Sequence, residues 1–302
     1  MKKLSLIFAS ACLFSACAGN RRQASLTSEP SIERAMDIVD STGQGHALLK
    51  FLLKNPVRFE YSNTPGLCSK FSLKTGKIFL PLAYKEQDMV LALALARAGH
   101  IYQLYTVTGL DEIITEEEEL GALFQARLAI ETRIRNADFK NAGGVPEIKT
   151  DFCTYVLEDS ANAMAQARKR ALTPDPDCQR PLDTLENQRV WLEKTRQAIN
   201  DETFYQLLYE RDLARVKKGA MPMSEAMKND AVVRAMPTYE VYRFQRSFYD
   251  KQSDIFSRFG KVYSGEIRGD ASWRAAHQAE IDQAKTEFSA CDMPQLDLPG
   301  GK

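Results

Sequence analysis

Three histidines, His46, His100 and His277, are spread through 302 residues, and neither of the other two has metal-ligand spacing with His100. Zinc held by imidazole needs a second donor at helical spacing, usually His at i and i+4. A candidate acidic partner for His100 lies downstream, in the run Glu116, Glu117, Glu118, Glu119. One imidazole and one carboxylate make two protein ligands, where a catalytic zinc usually keeps three plus water. The six cysteines contain no CxxC and no Cys–His cluster, so thiolate zinc binding is not expected. Cys68 or Cys153 beside His100 would make a nucleophile pair, but an oxidising compartment favours disulfides instead. There is no GxSxG nucleophile turn and no GxxxxGK[ST] phosphate loop.

The elements that must position His100 and the acids follow from periodicity. Val57, Phe59 and Tyr61 alternate with polar residues, as in a half-buried strand; residues 70–73 and 77–80 flank Lys74-Thr75-Gly76 as a hairpin. Helical spacing is read over 31–40, 46–54, 85–106 and 115–138, the last opened by Thr115 and Glu118 as a capping box. Helices are also expected over 151–171, from an Asp183/Glu186 cap to about 199, and over 202–217, 224–235, 238–259 and 271–289. Gly260 to Gly269 reads as a loop. The fold class is therefore α+β, mainly α-helical, with a small sheet of about three strands on the N-terminal side. Tyr242, Tyr249, Phe256 and Phe259 share one helix stripe and are expected to pack against other helices; Arg243, Arg246, Lys251, Arg258 and Lys261 border it as a solvated flank.

The order strand, helix, loop, acidic helix over residues 57–135 resembles the frame of the zincin metallopeptidases. In those enzymes the first helix carries HExxH, and in the gluzincin branch a Glu on a following helix is the third ligand. Ala96-Arg97-Ala98-Gly99-His100 resembles that motif with His100 at the second histidine. Ala96 stands at the first histidine and Arg97 at the general base. The resemblance implies Glu118 or Glu119 as the third-ligand position. Alanine has no donor atom, and arginine stays protonated and cannot take a proton from water. The resemblance therefore implies a degenerate site with no metal, no cofactor and no peptidase activity. The competing explanation is structural: a tightly packed small-residue helix face, a buried histidine, and acids suited to a helix start.

The first residues read as an address. Met1-Lys2-Lys3 is basic, Leu4 to Phe14 is apolar and too short to span a bilayer, and Ser15-Ala16 precede Cys17. Phe14-Ser15-Ala16-Cys17 resembles the bacterial lipobox, with Phe where Leu is favoured. This implies a signal peptide over 1–16, a lipidated Cys17 and a polar tether over 17–30. Cleavage after Ala18 is the alternative. Ala18, rather than Asp, after the cysteine implies outer-membrane retention, facing the periplasm. The body is read as two regions, 31–150 and 151–294, with a loose tail at 295–302.

Of the body cysteines Cys68, Cys153, Cys178 and Cys291, a single helix over 152–171 would hold Cys153 and Cys178 about 30 Å apart. That leaves Cys68–Cys153 with Cys178–Cys291, which is preferred, or Cys68–Cys178 with Cys153–Cys291. Four buried free thiols are the remaining option. Lys plus Arg equals Asp plus Glu at 40 each, so no field attracts nucleic acid. Processing after residue 16 leaves 38 basic against 40 acidic side chains, so acyl chains rather than charge would hold the protein to a membrane. The expected function is a non-catalytic binding or scaffold lipoprotein, with an envelope protein or glycan as partner. An envelope hydrolase with an unrecognised site is the alternative.

Overall fold

The computed structural model describes residues 25–55, 57–63, 66–139, 146–178, 180–198, 203–289 and 291. The signal segment, Cys17 and the 295–302 tail lie outside the described residues. The fold is mainly helical with one small mixed sheet, as the periodicity indicates. The chain forms two compact units, which interleave in sequence. Unit 1 comprises 1–103, 121–163 and 277–302; unit 2 comprises 104–120 and 164–276.

Unit 1 opens with α1 (Pro30–Asp40) and α2 (Gly43–Leu52), packed against each other. Proline suits the first turn of α1, where its missing N–H would have no partner in any case. Thr42 caps α2 by accepting from Gly45 N at 3.0 Å. Gly45 cannot carry a side chain, since a Cβ would stand 2.0 Å from Val39 O. The strands follow: β1 (Arg58–Tyr61), β2 (Lys70–Ser72) and β3 (Lys77–Leu80), in the order β1-β3-β2. β1 runs parallel to β3, with Phe59 opposite Ile78; β2 runs antiparallel to it, with Phe71 opposite Ile78. Gly76 takes the left-handed conformation at the turn between β2 and β3 (φ 61°).

Residues expected to be tether already belong to the body. Phe59 N donates to Leu26 O at 2.7 Å, Thr27 Oγ1 donates to Phe59 O at 2.9 Å, and both Leu26 and Thr27 are buried. This segment satisfies polar groups along β1 that would otherwise be left open.

The helix α3 (Asp88–Thr108) is apolar on all sides over its first turns, and Val90 to Ala96 are buried throughout. α4 spans Thr115–Glu131, shorter than the expected 115–138, and a 3-10 turn at Asn136–Phe139 follows. Its start is capped one residue earlier than the expected box. Glu117, not Glu118, reaches back, accepting from Ile114 N at 3.0 Å, while Thr115 Oγ1 donates to Asp183 O.

The region of continuous helical periodicity over 151–171 is two helices, α5 (Pro146–Leu157) and α6 (Ser160–Leu172). Asp159 restarts the helix by accepting from Asn162 N at 2.8 Å, a capping strength that outweighs the continuous periodicity. α7 (Leu185–Gln197) is capped by Thr184 rather than Asp183, through Asn187 N. α8 (Thr203–Lys217) and α9 (Met223–Arg234) pack as a pair.

The largest departure from the sequence expectation lies in α10 (Thr238–Ala276). Its 39 residues run straight through the Gly260–Gly269 segment expected to be a loop. The buried anchors Ile255, Phe256 and Phe259 join Leu110, Ile114, Leu185 and Leu192 in the core of unit 2, which holds the helix despite its glycines. Tyr249 packs against this core, whereas Tyr242 is exposed. The aromatic stripe is thus buried mainly towards its C-terminal end. The last helix, α11 (Gln278–Glu287), returns to unit 1 and packs on α5. Phe288 is fully buried there, edge-on to Phe139 and Phe152. No helix among the described residues is long and apolar enough to cross a membrane.

All four body cysteines are in disulfides. Cys153 pairs with Cys291, with Cα atoms 6.5 Å apart, which overturns the preferred pairing of Cys178 with Cys291. The reason is the return of α11 onto α5, a long-range packing that cysteine spacing does not encode. The bond closes a separation of 138 residues. Loop-closure entropy of that size stabilises the fold by roughly 3–5 kcal/mol. Urea unfolding of the Cys153→Ala/Cys291→Ala protein should show a loss in that range; a midpoint equal to that of the wild type counts against this account.

Candidate functional site

The positions that resemble a peptidase motif lie on α3 in unit 1, and they are occupied by packing. Ala96 is fully buried. Gly99 faces α2 and the sheet: a Cβ there would stand 3.1 Å from Leu52 Cδ1 and 3.7 Å from Phe59 Cζ. Close approach of the neighbouring elements therefore accounts for glycine at this position. Arg97 Nη1 donates to Asp151 Oδ2 of α5 at 2.9 Å, with side-chain exposures of only 13% and 1%. Gly121 of α4 makes room for the arginine stem, because a Cβ there would lie 3.1 Å from Arg97 Cγ.

His100 is stacked on Phe124, with centroids 4.3 Å apart and planes at 12°. Burial lowers its pKa to about 4, a hydrogen bond to Gln103 opposes the fall, and the positive charge of Arg127 adds to it. The neutral ring can donate from Nδ1 to Gln103 Oε1 at 3.2 Å, while the buried Nε2 has no hydrogen-bond partner among the described residues. An unsatisfied acceptor of this kind costs about 1–3 kcal/mol.

Glu118 is half-buried. Glu119 belongs to unit 2 and is fully committed there: Oε1 accepts from Arg168 Nη1 at 3.0 Å, and Oε2 accepts a short hydrogen bond from the Tyr263 hydroxyl. Burial raises the Glu119 carboxyl above its ordinary range, with Tyr263 and Arg168 pulling it back. Burial also lifts Glu117 well above the carboxylate range, against the pull of the Ile114 N–H. Among the described residues, no three or more His, Cys, Asp or Glu side chains gather closely enough to hold a metal ion.

Two cavities are lined by described residues of unit 2. The larger, about 610 Å³, is lined by Arg168 of α6, Arg189 of α7, and Ser257, Lys261, Ser264 and Arg268 of α10. Glu116, Glu186 and Tyr263 complete its polar lining. Glu116 is already engaged: Oε2 accepts from Leu185 N at 2.9 Å, and Oε1 lies 3.7 Å from Arg168 Nη1. The smaller cavity, about 250 Å³, is walled by Tyr205, Tyr209, Phe244 and Phe248. Arg211 lies at its side over the Trp191 and Phe248 rings, 5.0 and 5.2 Å from their centroids, and is paired with Asp111 at 3.5 Å.

The cationic cavity is absent from the sequence expectations. Its signal is present all the same: residues 257, 261, 264 and 268 recur at helical spacing. A loop over Gly260–Gly269 breaks that stripe in two. Comparison of the chain with protein-family models, with curated proteins and with solved structures finds no match.

Two measurements check this geometry. Replacing Arg97 by Met takes the buried Asp151 carboxylate's close cation away and should cost about 3–5 kcal/mol of stability, most of it regained in Arg97→Met/Asp151→Leu. If both proteins unfold at the wild-type urea midpoint, the pair has no such role.

The second concerns pH. His100 binds its proton in the unfolded chain at a pH near 6.5 but in the fold only near 4. The unfolded state therefore holds more protons between those values, and stability is lost as pH falls from 6.5 towards 4. His100→Phe should flatten that decline relative to wild type, by roughly 3 kcal/mol over the full window. Parallel decline in both proteins would remove the assignment.

Proposed function

We propose that this chain is an exported, lipid-anchored binding protein of a bacterial envelope, and that its peptidase-like region hydrolyses nothing. The observation that carries the non-catalytic reading is the Arg97–Asp151 pair. At the position where a zincin holds a carboxylate base, the side chain is a cation already bound to an internal acid. His100 supports the same reading, since its ring is buried and stacked rather than presented to substrate.

The envelope address rests on the apolar segment Leu4–Phe14 and the Ser15-Ala16-Cys17 sequence that ends it. Disulfide bonding of Cys68, Cys153, Cys178 and Cys291 suits an oxidising compartment. It also leaves no free thiol among them for a cysteine hydrolase. Glu116 and Glu119 are held by Leu185 N, Arg168 and Tyr263, which makes them supports for a cavity wall rather than free acid–base groups. The membrane is met through acyl chains on Cys17, on the periplasmic face of the outer membrane, and the partner is a component of the envelope.

The full chain expressed in a bacterium with labelled palmitate should take up label and fractionate with membranes, and Cys17→Ala should lose both. Purified protein supplied with zinc should cleave no peptide. Stoichiometric zinc together with peptidase activity abolished by His100→Ala would end the non-catalytic reading.

A further inference from the structure

We infer that the larger cavity of unit 2 is a binding site for a phosphate-bearing ligand. This rests on the reading of the chain as a binding protein and adds the chemistry of what it binds. Four cations, Arg168, Arg189, Lys261 and Arg268, surround one space of about 610 Å³. The side chains of Arg189, Lys261 and Arg268 make no ion pair or hydrogen bond with any described residue. Several other surface arginines are paired locally, as Arg196 is with Glu193, Arg234 with Asp230 and Arg258 with Asp254. Unpaired like charges gathered at one cavity repel, and a multiply charged anion relieves that repulsion.

The cavity is built rather than incidental in two respects. Arg168 is held through one nitrogen only: Nη1 meets Glu119 and Glu116, and the rest of the guanidinium makes no other contact of this kind with a described residue. Its fork is thereby oriented before any ligand arrives, which favours planar two-point recognition of phosphate oxygens.

Gly260 is the second respect. A glycine inside a helix costs about 0.5–1 kcal/mol relative to alanine. Here a Cβ would stand 3.2 Å from Arg189 Nη2, so the missing side chain is the space the guanidinium occupies. Ser257, Lys261, Ser264 and Arg268 share one stripe of α10 and alternate hydroxyl donors with cations along it.

Two carboxylates, Glu116 and Glu186, also line the space. Glu116 is engaged with Leu185 N and Arg168, so the cations keep the majority. A simple carboxylate would engage one arginine and leave the others repelling. A phosphodiester or diphosphate presents enough acceptor oxygens for several. That chemistry occurs in lipid headgroups and in soluble phosphorylated glycans.

The test is calorimetry on the purified full chain in detergent at low salt. The probes are pyrophosphate, short-chain phosphatidic acid below its micelle concentration, and succinate as a carboxylate control. Saturable binding of a phosphate probe at least tenfold tighter than succinate is expected. Lys261→Gln/Arg268→Gln should weaken it tenfold or more with no fall in thermal midpoint, because neither side chain has a partner among the described residues. Gly260→Leu, which displaces Arg189, should weaken it as well. Tighter binding of phosphatidic acid than of pyrophosphate assigns the headgroup source, and the reverse order assigns a soluble ligand. No saturable phosphate binding, binding untouched by the double variant, or equal binding of succinate overturns the proposal. Palmitate labelling and peptidase assays read the broader function separately, so a lipidated, inactive protein that binds no phosphate would sink this site alone.

Discussion

A guanidinium inside a protein keeps its charge and must be met by an acid, and in unit 1 Arg97 is met by Asp151. The pair ties α3 to α5 in a place where both side chains are almost sealed from water. Burial on this scale makes an ion pair expensive to break, whatever it contributes when intact. The same contact fixes what α3 can do. A helix buried on all sides over its first turns, with a cation committed at Arg97 and a stacked imidazole at His100, is a packing element whose polar groups face inward.

Unit 2 places its charges differently. Glu116 and Glu119 are buried, while Glu186, Arg189, Lys261 and Arg268 are exposed at the cavity. Glu119 receives Arg168 and the Tyr263 hydroxyl, and Glu116 receives the Leu185 N–H, so the carboxylates are consumed in holding α4, α6, α7 and α10 in register. Of the cavity's cations, Arg168 shares these acids, and Arg189, Lys261 and Arg268 have no ion pair with a described residue. Positive charge is thereby in the majority at one cavity, although the whole sequence is formally neutral.

The mainly helical class, the three strands and the turn at Gly76 are legible from alternation and helical spacing, because each depends on neighbours close in sequence. Element ends are less so: Asp159 divides one apparent helix into two, and Thr184 and Glu117 cap where spacing favours Asp183 and Glu118. Local signals compete there, and the geometry of one hydrogen bond decides. The unbroken α10 is hidden by its glycines, since burial of Phe256 and Phe259 against α7 and Ile114 is a tertiary effect. The cysteine pairing is hidden for the same reason. His100 and the Glu116–Glu119 run are visible as chemically unusual, but their partners Phe124, Gln103, Arg168 and Tyr263 come from packing that no spacing rule supplies.

Unit 1 is assembled from three stretches of chain, and the last of them, from residue 277, brings the ring that fills the gap between Phe139 and Phe152. A ribosome delivers residue 152 long before residue 288. Until then Phe139 and Phe152 lack the ring that meets both of them edge-on in the fold. Completion of this aromatic cluster therefore waits on the stretch from residue 277, however early the rest of unit 1 is made.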